Sequence, residues 1–164
     1  MGTRTVPADT SMADTALFWQ SGDFEKLSSQ QLYRIMEMRQ RVFVVEQDCV
    51  YRDLDNLDQQ SHHLCAWQGD SLFAYLRALP PGLDYTESAI VCIVVSPDAR
   101  GMNLGRELVR RGIELNRQLW PQDNIRIGAQ AHLQTFYREF GFTTDSEVYD
   151  EDGIPHVKML LRFE

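Results

Sequence analysis

The sequence predicts an α/β chain of the α+β kind: a single domain with a mixed, mostly antiparallel sheet flanked by helices. Three observations carry this. The chain has 164 residues, 43% of them apolar, which suits one domain with one full core. Its hydrophobic periodicity reads in the order β-α-β-β-β-α-β-α-β-β, that of a mixed sheet with helices. No GxGxxG follows a strand, so the doubly wound dinucleotide fold is excluded.

Residues 1–14 read as a tail, leaving 15–164 as the domain. The opening MGTRTVPADTSMADT lacks the apolar core of a secretory leader. Val6 stands where a myristoylation signal needs Ser or Thr. ALFWQ (16–20) is the first expected strand. Ser28 or Ser29 caps a helix running to about Val45, with Leu32, Ile35, Met36, Val42 and Phe43 on one face. HHLCAW (62–67) and SLFAYLRAL (71–79) flank Gly69-Asp70 as a hairpin. AIVCIVV (89–95) is an unbroken apolar run between polar ends and reads as a strand buried on both faces. A helix over 104–119 follows, with Leu104, Leu108, Gly112, Leu115 and Leu119 on one side and its charges opposite. Gly112 inside that stripe lowers helix propensity, which close approach to a sheet would explain. IRIGAQ (125–130) is the next strand, and HLQTFYREF (132–140) a short helix ended by Gly141. TDSEVYD, the turn EDGIP and the strand HVKMLLRF complete the chain.

The formal net charge of -8 argues against a phosphate-tracking nucleic-acid surface and favours small cationic partners. No apolar run is long enough to span a membrane. Cys49, Cys65 and Cys92 form no CxxC pair, and two lie in apolar runs, so they read as reduced packing residues of a cytoplasmic protein. His62, His63, His132 and His156 have no HxxxH or HExxH spacing. In DLDNLD (53–58), Asp58 replaces the turn glycine a calcium loop requires, so no metal is expected.

A buried strand, a polar loop and a helix N-terminus make an anion site, because the first helical amides are unpaired and the dipole favours negative charge. Here the loop is Arg100-Gly101-Met102-Asn103-Leu104-Gly105. It lacks the GKS or GKT of a nucleotide-triphosphate loop. Glycine and asparagine tolerate the positive φ angles that curl amides around a phosphate.

This segment resembles the GNAT acetyltransferase superfamily, whose loop pattern is Arg or Gln, two residues, Gly, one residue, then Gly or Ala. Arg100 and Gly105 match its ends, and Asn103 stands at its first glycine. QAHLQTFYREFGF (130–142) resembles the second motif, matching at Tyr137 and Gly141-Phe142, with Gln130 in place of an Asn. RQRVFVVEQ (39–47), YRDLDNLD (51–58), GAQAHLQTFY (128–137) and EVYDEDGIPH (147–156) are similar to segments of the ElaA-like subfamily. The resemblance covers about Leu32 to Arg162. It implies a single-domain GNAT fold with the sheet splayed at a cofactor cleft, acetyl-CoA as co-substrate, and a small-molecule or peptide amine as acceptor. A monomer or a homodimer is compatible with it.

Acyl transfer from a thioester needs a deprotonated amine, reactants held in contact, a donor to the oxyanion and a proton for the departing thiolate. The resemblance assigns the loop amides of Gly101, Met102, Asn103, Leu104, Gly105 and Arg106, with Arg100, to the pyrophosphate. It assigns the backbone of Ile93, Val94 and Val95 to the pantetheine arm, beside Gln130. Tyr137 would be the general acid. Glu46, His63 and His156 are candidates for the base, acting through water. Direct transfer fits, since no Cys or Ser lies in a nucleophile motif. A non-catalytic acyl-CoA-binding sensor or interaction module is the alternative, and an acyl-homoserine-lactone synthase-like enzyme a second. Arg39 falls inside the apolar stripe of the first helix, with Glu46 on the same face if the helix persists; a structural ion pair or an acceptor-site wall would account for it. The acidic segments 46–58 and 147–152 are expected to draw a cationic amine if both line one cleft.

Overall fold

The computed structural model describes residues 16–164. The tail expected over 1–14 lies outside the described residues.

The first strand, β1 (Phe18–Asp23), starts two residues later than its apolar run and extends further. Ser28 then opens helix α1 (Ser29–Arg39). Its hydroxyl accepts from the Gln31 amide, and the Gln31 side chain accepts from the Ser28 amide, which satisfies two otherwise unpaired donors. Beyond Arg39 the chain continues as a π-helical segment, Gln40–Glu46. The helical stretch therefore reaches the expected end, but its last turns are wider. That widening breaks the seven-residue spacing: Arg39 is fully buried, whereas Glu46 is exposed.

Strands β2 (His62–Gln68) and β3 (Ser71–Leu79) form the expected hairpin, turning at Gly69 with φ 57°. Next come β4 (Ser88–Val95), α2 (Leu104–Leu119), β5 (Ile125–Gln130) and the short α3 (Gln134–Arg138). The C-terminal segment contributes β6 (Thr143–Thr144), β7 (Tyr149–Glu151) and β8 (Ile154–Leu161). The strands form one mixed sheet in the order β1-β2-β3-β4-β5-β8-β6, with β7 also paired to β8. Among the described residues, only the central β4–β5 pair is parallel.

The two-residue period of the strands sorts side chains onto two faces. Leu64, Ala66, Ala74 and Leu76 pack with α2 and Tyr137, while Cys65, Trp67 and Tyr75 pack with Ile35, Met38 and Val42 of the first helix. Gly112 sits where α2 crosses the sheet. A Cβ there would lie 2.5 Å from Leu76 Cδ2, and Leu76 is itself fully buried. Gly112→Ala should thus destabilise by about 1–3 kcal/mol through overpacking, despite gaining about 1 kcal/mol of helix propensity. Chemical denaturation showing a stabilised Gly112→Ala protein would refute this close approach.

A polar knot ties α1 to the 53–58 loop. Arg39 donates to Asp53 at 2.9 Å and to Asp58 at 2.6 Å, and Arg77 donates to Asp58 at 3.0 Å and Asp55 at 2.6 Å. Arg39 is therefore a structural ion-pair residue rather than an acceptor-site wall. The aspartates of DLDNLD neutralise two buried guanidiniums, so this segment is no free acidic rim for attracting a cation. Among the described residues, Cys49, Cys65 and Cys92 are free thiols, the first two buried.

Candidate active site

β4 and β5 hydrogen-bond only at Ser88↔Ile125 and Ala89↔Arg126, then part. The gap opens into a cavity of about 440 Å³. This corrects the expectation that the apolar run of β4 is buried on both faces: Val91, Cys92 and Ile93 are half-buried because they line the cleft. A β-bulge lies at the parting point. The β3–β4 register jumps from Tyr75↔Val94 to Arg77↔Val91, so Cys92 and Ile93 oppose Leu76 alone. Cys92 has φ 54°, a left-handed conformation costly for a side chain with a Cβ. A bulge leaves ladder groups unpaired.

The loop after β4 leads into the N-terminus of α2. Asn103 is the N-cap with φ 58° and its side chain makes no capping hydrogen bond, so the amides of Leu104, Gly105 and Arg106 stay available. A Cβ on Gly105 would meet nothing nearer than Val95 Cγ2 at 4.0 Å, so that side of the loop is open. Gly101 and Met102 are exposed, and Leu104 is buried as an anchor in the core. Arg100 lines the cavity and donates to Glu46 at 2.6 Å. The Arg106 side chain turns to Glu139 and lies over the Phe136 ring, leaving only its amide to the loop. Loop and cavity together fit a phosphate-bearing thioester: open amides for the diphosphate, and the walls Ile93, Val94, Val95 and Gln130 for the arm.

Tyr137 lines the same cavity from α3, 7% exposed, packed edge-on against Phe136 and Phe142. Burial pushes its hydroxyl up to about 12. Its hydroxyl makes no hydrogen bond among the described residues. His156 also lines the cavity, from β8, beside Gln130 across the β5–β8 ladder. Its Nδ1 is 2.8 Å from the Ile154 carbonyl and its Nε2 3.1 Å from Glu151.

The other two candidate bases lie elsewhere. His63 is 1% exposed and outside the cavity lining. Its Nε2 donates to the Asp58 carbonyl at 2.9 Å, so its Nδ1 accepts from the Tyr75 hydroxyl at 2.7 Å. Both nitrogens are committed, and burial, the largest influence, lowers its pKa; it is a neutral core histidine. Glu46 is spent on Arg100 and does not line the cavity. Sequence reasoning missed Phe43 and Tyr85, which do line it, and offered Tyr51 and Glu151 only as members of the acidic segments 46–58 and 147–152. For Glu151 a signal existed: a two-residue turn at Asp152-Gly153 sets Tyr149 opposite His156 and Glu151 just before the turn.

Residues 24–163 match the family described as Acetyltransferase (GNAT) domain, and the chain belongs to that family of acyl-CoA-dependent transferases, whose co-substrate is acetyl-CoA and whose acceptors are amines. Within it, the chain is a member of the ElaA-like subfamily. Protein ElaA of Escherichia coli is 42% identical over 143 residues, covering 86% of this chain and 94% of the relative. The crystal structure of Escherichia coli ElaA superposes with a TM-score of 0.84 at 40% identity, over 88% of this chain and 99% of that one. An acyl-CoA N-acyltransferase from Pseudomonas aeruginosa superposes with a TM-score of 0.85 at 40% identity, with the same coverage.

Proposed function

We propose that this protein transfers an acetyl group from acetyl-CoA directly to an amine of a small molecule or peptide. The observation that carries the reading is Tyr137: a protonated phenol with an uncommitted hydroxyl, buried in the cleft where β4 and β5 part. A non-catalytic acyl-CoA sensor needs the loop but has no use for such an acid.

Each group has a task. The amides of residues 101–106 hold the diphosphate at the start of α2, and Arg100 adds charge once it leaves Glu46. The backbone of Ile93, Val94 and Val95 orients the pantetheine arm as an added strand. The thioester supplies an acyl carbon already activated for attack. Tyr137 delivers a proton to the departing sulfur. Of the three candidate bases, His156 alone lines the cavity, and it serves to receive the amine's proton once its Nε2 leaves Glu151.

The test is release of free thiol from acetyl-CoA across a panel of amines, amino acids and peptides; no amine-dependent release from any of them would refute the reading. A second expectation concerns the loop. Gly105→Val adds a branched side chain on its open side, where it meets no protein atom closely. The fold should survive while acetyl-CoA binds at least ~10-fold more weakly, the loss of one or two charge-assisted hydrogen bonds. Unchanged affinity by calorimetry, in a folded Gly105→Val protein, would remove the loop from the site.

A further inference from the structure

The chain holds only two lysines, Lys26 and Lys158, against fourteen arginines. A guanidinium stays protonated at any working pH, so these two are the side chains that can take an acetyl group on nitrogen. The fold separates them. Lys26 follows β1, the edge strand four places from β5 in the sheet, and its stem runs past Gly22. Lys158 lies on β8, beside the cleft where β4 and β5 part.

Residues two apart on a strand share a face, so Lys158 projects from the same face of β8 as His156, which lines the cavity. Its cross-strand partner on β5 is Gly128, also in the cavity lining. A glycine puts no side chain between the Lys158 stem and the cleft. Two hydroxyls bound the space above it instead: a Cβ at 128 would lie 3.3 Å from that of Tyr149 and 3.7 Å from that of Tyr85. The Lys158 ammonium lies 5.6 Å from the centre of the Tyr85 ring, and Tyr85 is part of the cavity wall. Lys158 is exposed, and among the described residues its ammonium forms no ion pair. A carboxylate partner would pin the four-carbon stem, whereas a ring face leaves it free to turn. The field along this wall suits a cation. Burial, then Asp84, Tyr149 and Glu151, push the Tyr85 hydroxyl up to about 12, and both carboxylates line the cavity.

We propose that Lys158 is a modification site: the protein acetylates its own Lys158 Nζ from the acetyl-CoA held in the cleft. The inference rests on the acetyltransferase reading above and adds an acceptor that the chain itself supplies. The ammonium loses one proton to water, and the freed lone pair attacks the thioester carbon. The C–N bond forms as the C–S bond breaks, coenzyme A leaves as its thiol, and the nitrogen sheds its second proton to solvent. The product is a neutral amide, so the step removes the positive charge that Lys158 holds near Asp84 and Glu151. A tethered amine beside the thioester reacts without first having to be collected from solution.

The experiment incubates the protein with isotopically labelled acetyl-CoA and no amine, after a lysine deacetylase has freed any side chain acetylated during production. Mass spectrometry then follows both lysines. Lys158 should take up label at least ~10-fold faster than Lys26, the advantage of a tethered amine. Its rate per molecule should hold when the protein is diluted at saturating acetyl-CoA, because donor site and acceptor belong to one chain. Excess coenzyme A, which fills the cleft without a thioester, should suppress labelling of Lys158 and leave that of Lys26 nearly unchanged. Lys158→Arg keeps the charge and should abolish the slow thiol release seen before any amine is added. Equal labelling of the two lysines, or labelling of Lys158 that coenzyme A fails to suppress, overturns the proposal and makes Lys158 an ordinary surface lysine. A rate per molecule that falls on dilution overturns it too, since one molecule would then be acetylating another. Thiol release with added amines while Lys158 stays unlabelled sinks this inference alone, whereas absence of release with every amine refutes the acetyltransferase reading.

Discussion

Tyr137→Phe is expected to lower kcat by ~10²–10⁴-fold, the usual worth of a general acid, while acetyl-CoA affinity stays within a small factor. The ring keeps its packing against Phe136 and Phe142, so the loss is confined to the hydroxyl. That hydroxyl makes no hydrogen bond among the described residues, and its removal therefore orphans no buried partner. The pH dependence has a definite sign. An acid works while protonated, and burial pushes Tyr137 up to about 12. Its contribution is present at all pH values below that and fades only as pH approaches about 12. An alkaline decline near neutrality would belong to another group. Pre-steady-state kinetics would check that chemistry limits the rate, and an unchanged chemical step in Tyr137→Phe would overturn the assignment.

Arg39→Met is expected to destabilise the fold by about 3–5 kcal/mol, the typical result of breaking a buried ion pair from one side. The substitution leaves Asp53 uncompensated at 9% side-chain exposure and strips Asp58 of its shortest partner. Arg77 remains, but it already holds Asp55 and shares Asp58. For a chain of this length the loss corresponds to a fall in Tm of roughly 6–20 °C. Arg39→Lys should recover only part, because one ammonium cannot bond Asp53, Asp58 and the Asp53 carbonyl as the guanidinium fork does. Thermal unfolding of Arg39→Met within a degree or two of the unsubstituted protein would show the knot to be dispensable. The knot also braces the cleft: Arg77 reaches into the cavity lining, and Tyr51 donates to Asp53 at 3.1 Å. Activity and stability should accordingly fall together in this variant, unlike in Tyr137→Phe.

Most of the architecture was legible because it rests on short-range physics. The Ser28 cap, the apolar stripe of α2 and the Gly69-Asp70 turn each follow from bonds made within a few residues. Gly112 could be read as a point of close approach because only a packing need explains a glycine inside an apolar helical stripe. The loop before α2 could be located because glycines, an asparagine and a helix start are adjacent in the chain.

The choice among candidate bases was not legible. His63 and His156 both stand at strand starts next to polar turns, and nothing local separates them. Tertiary structure decides: His63 falls under Asp58 and Tyr75 on the buried side of β2, and His156 falls on the strand beside the cleft. The π-helical turns that send Glu46 out to Arg100 were equally hidden, since helical periodicity assumes a constant turn. So was the bulge at Cys92, because no residue type there announces a left-handed backbone. The sequence by itself determined the helices, the hairpins and the polar loop that leads into α2, all set by local bonding or contiguous motif. Only the tertiary structure decided the parting of β4 and β5, the pairing of Arg39 with Asp53 and Asp58, and the meeting of Glu151 with His156 in the cleft. These depend on which residues far apart in the chain are driven together by burial of the sheet's two faces, and no short window of sequence carries that information.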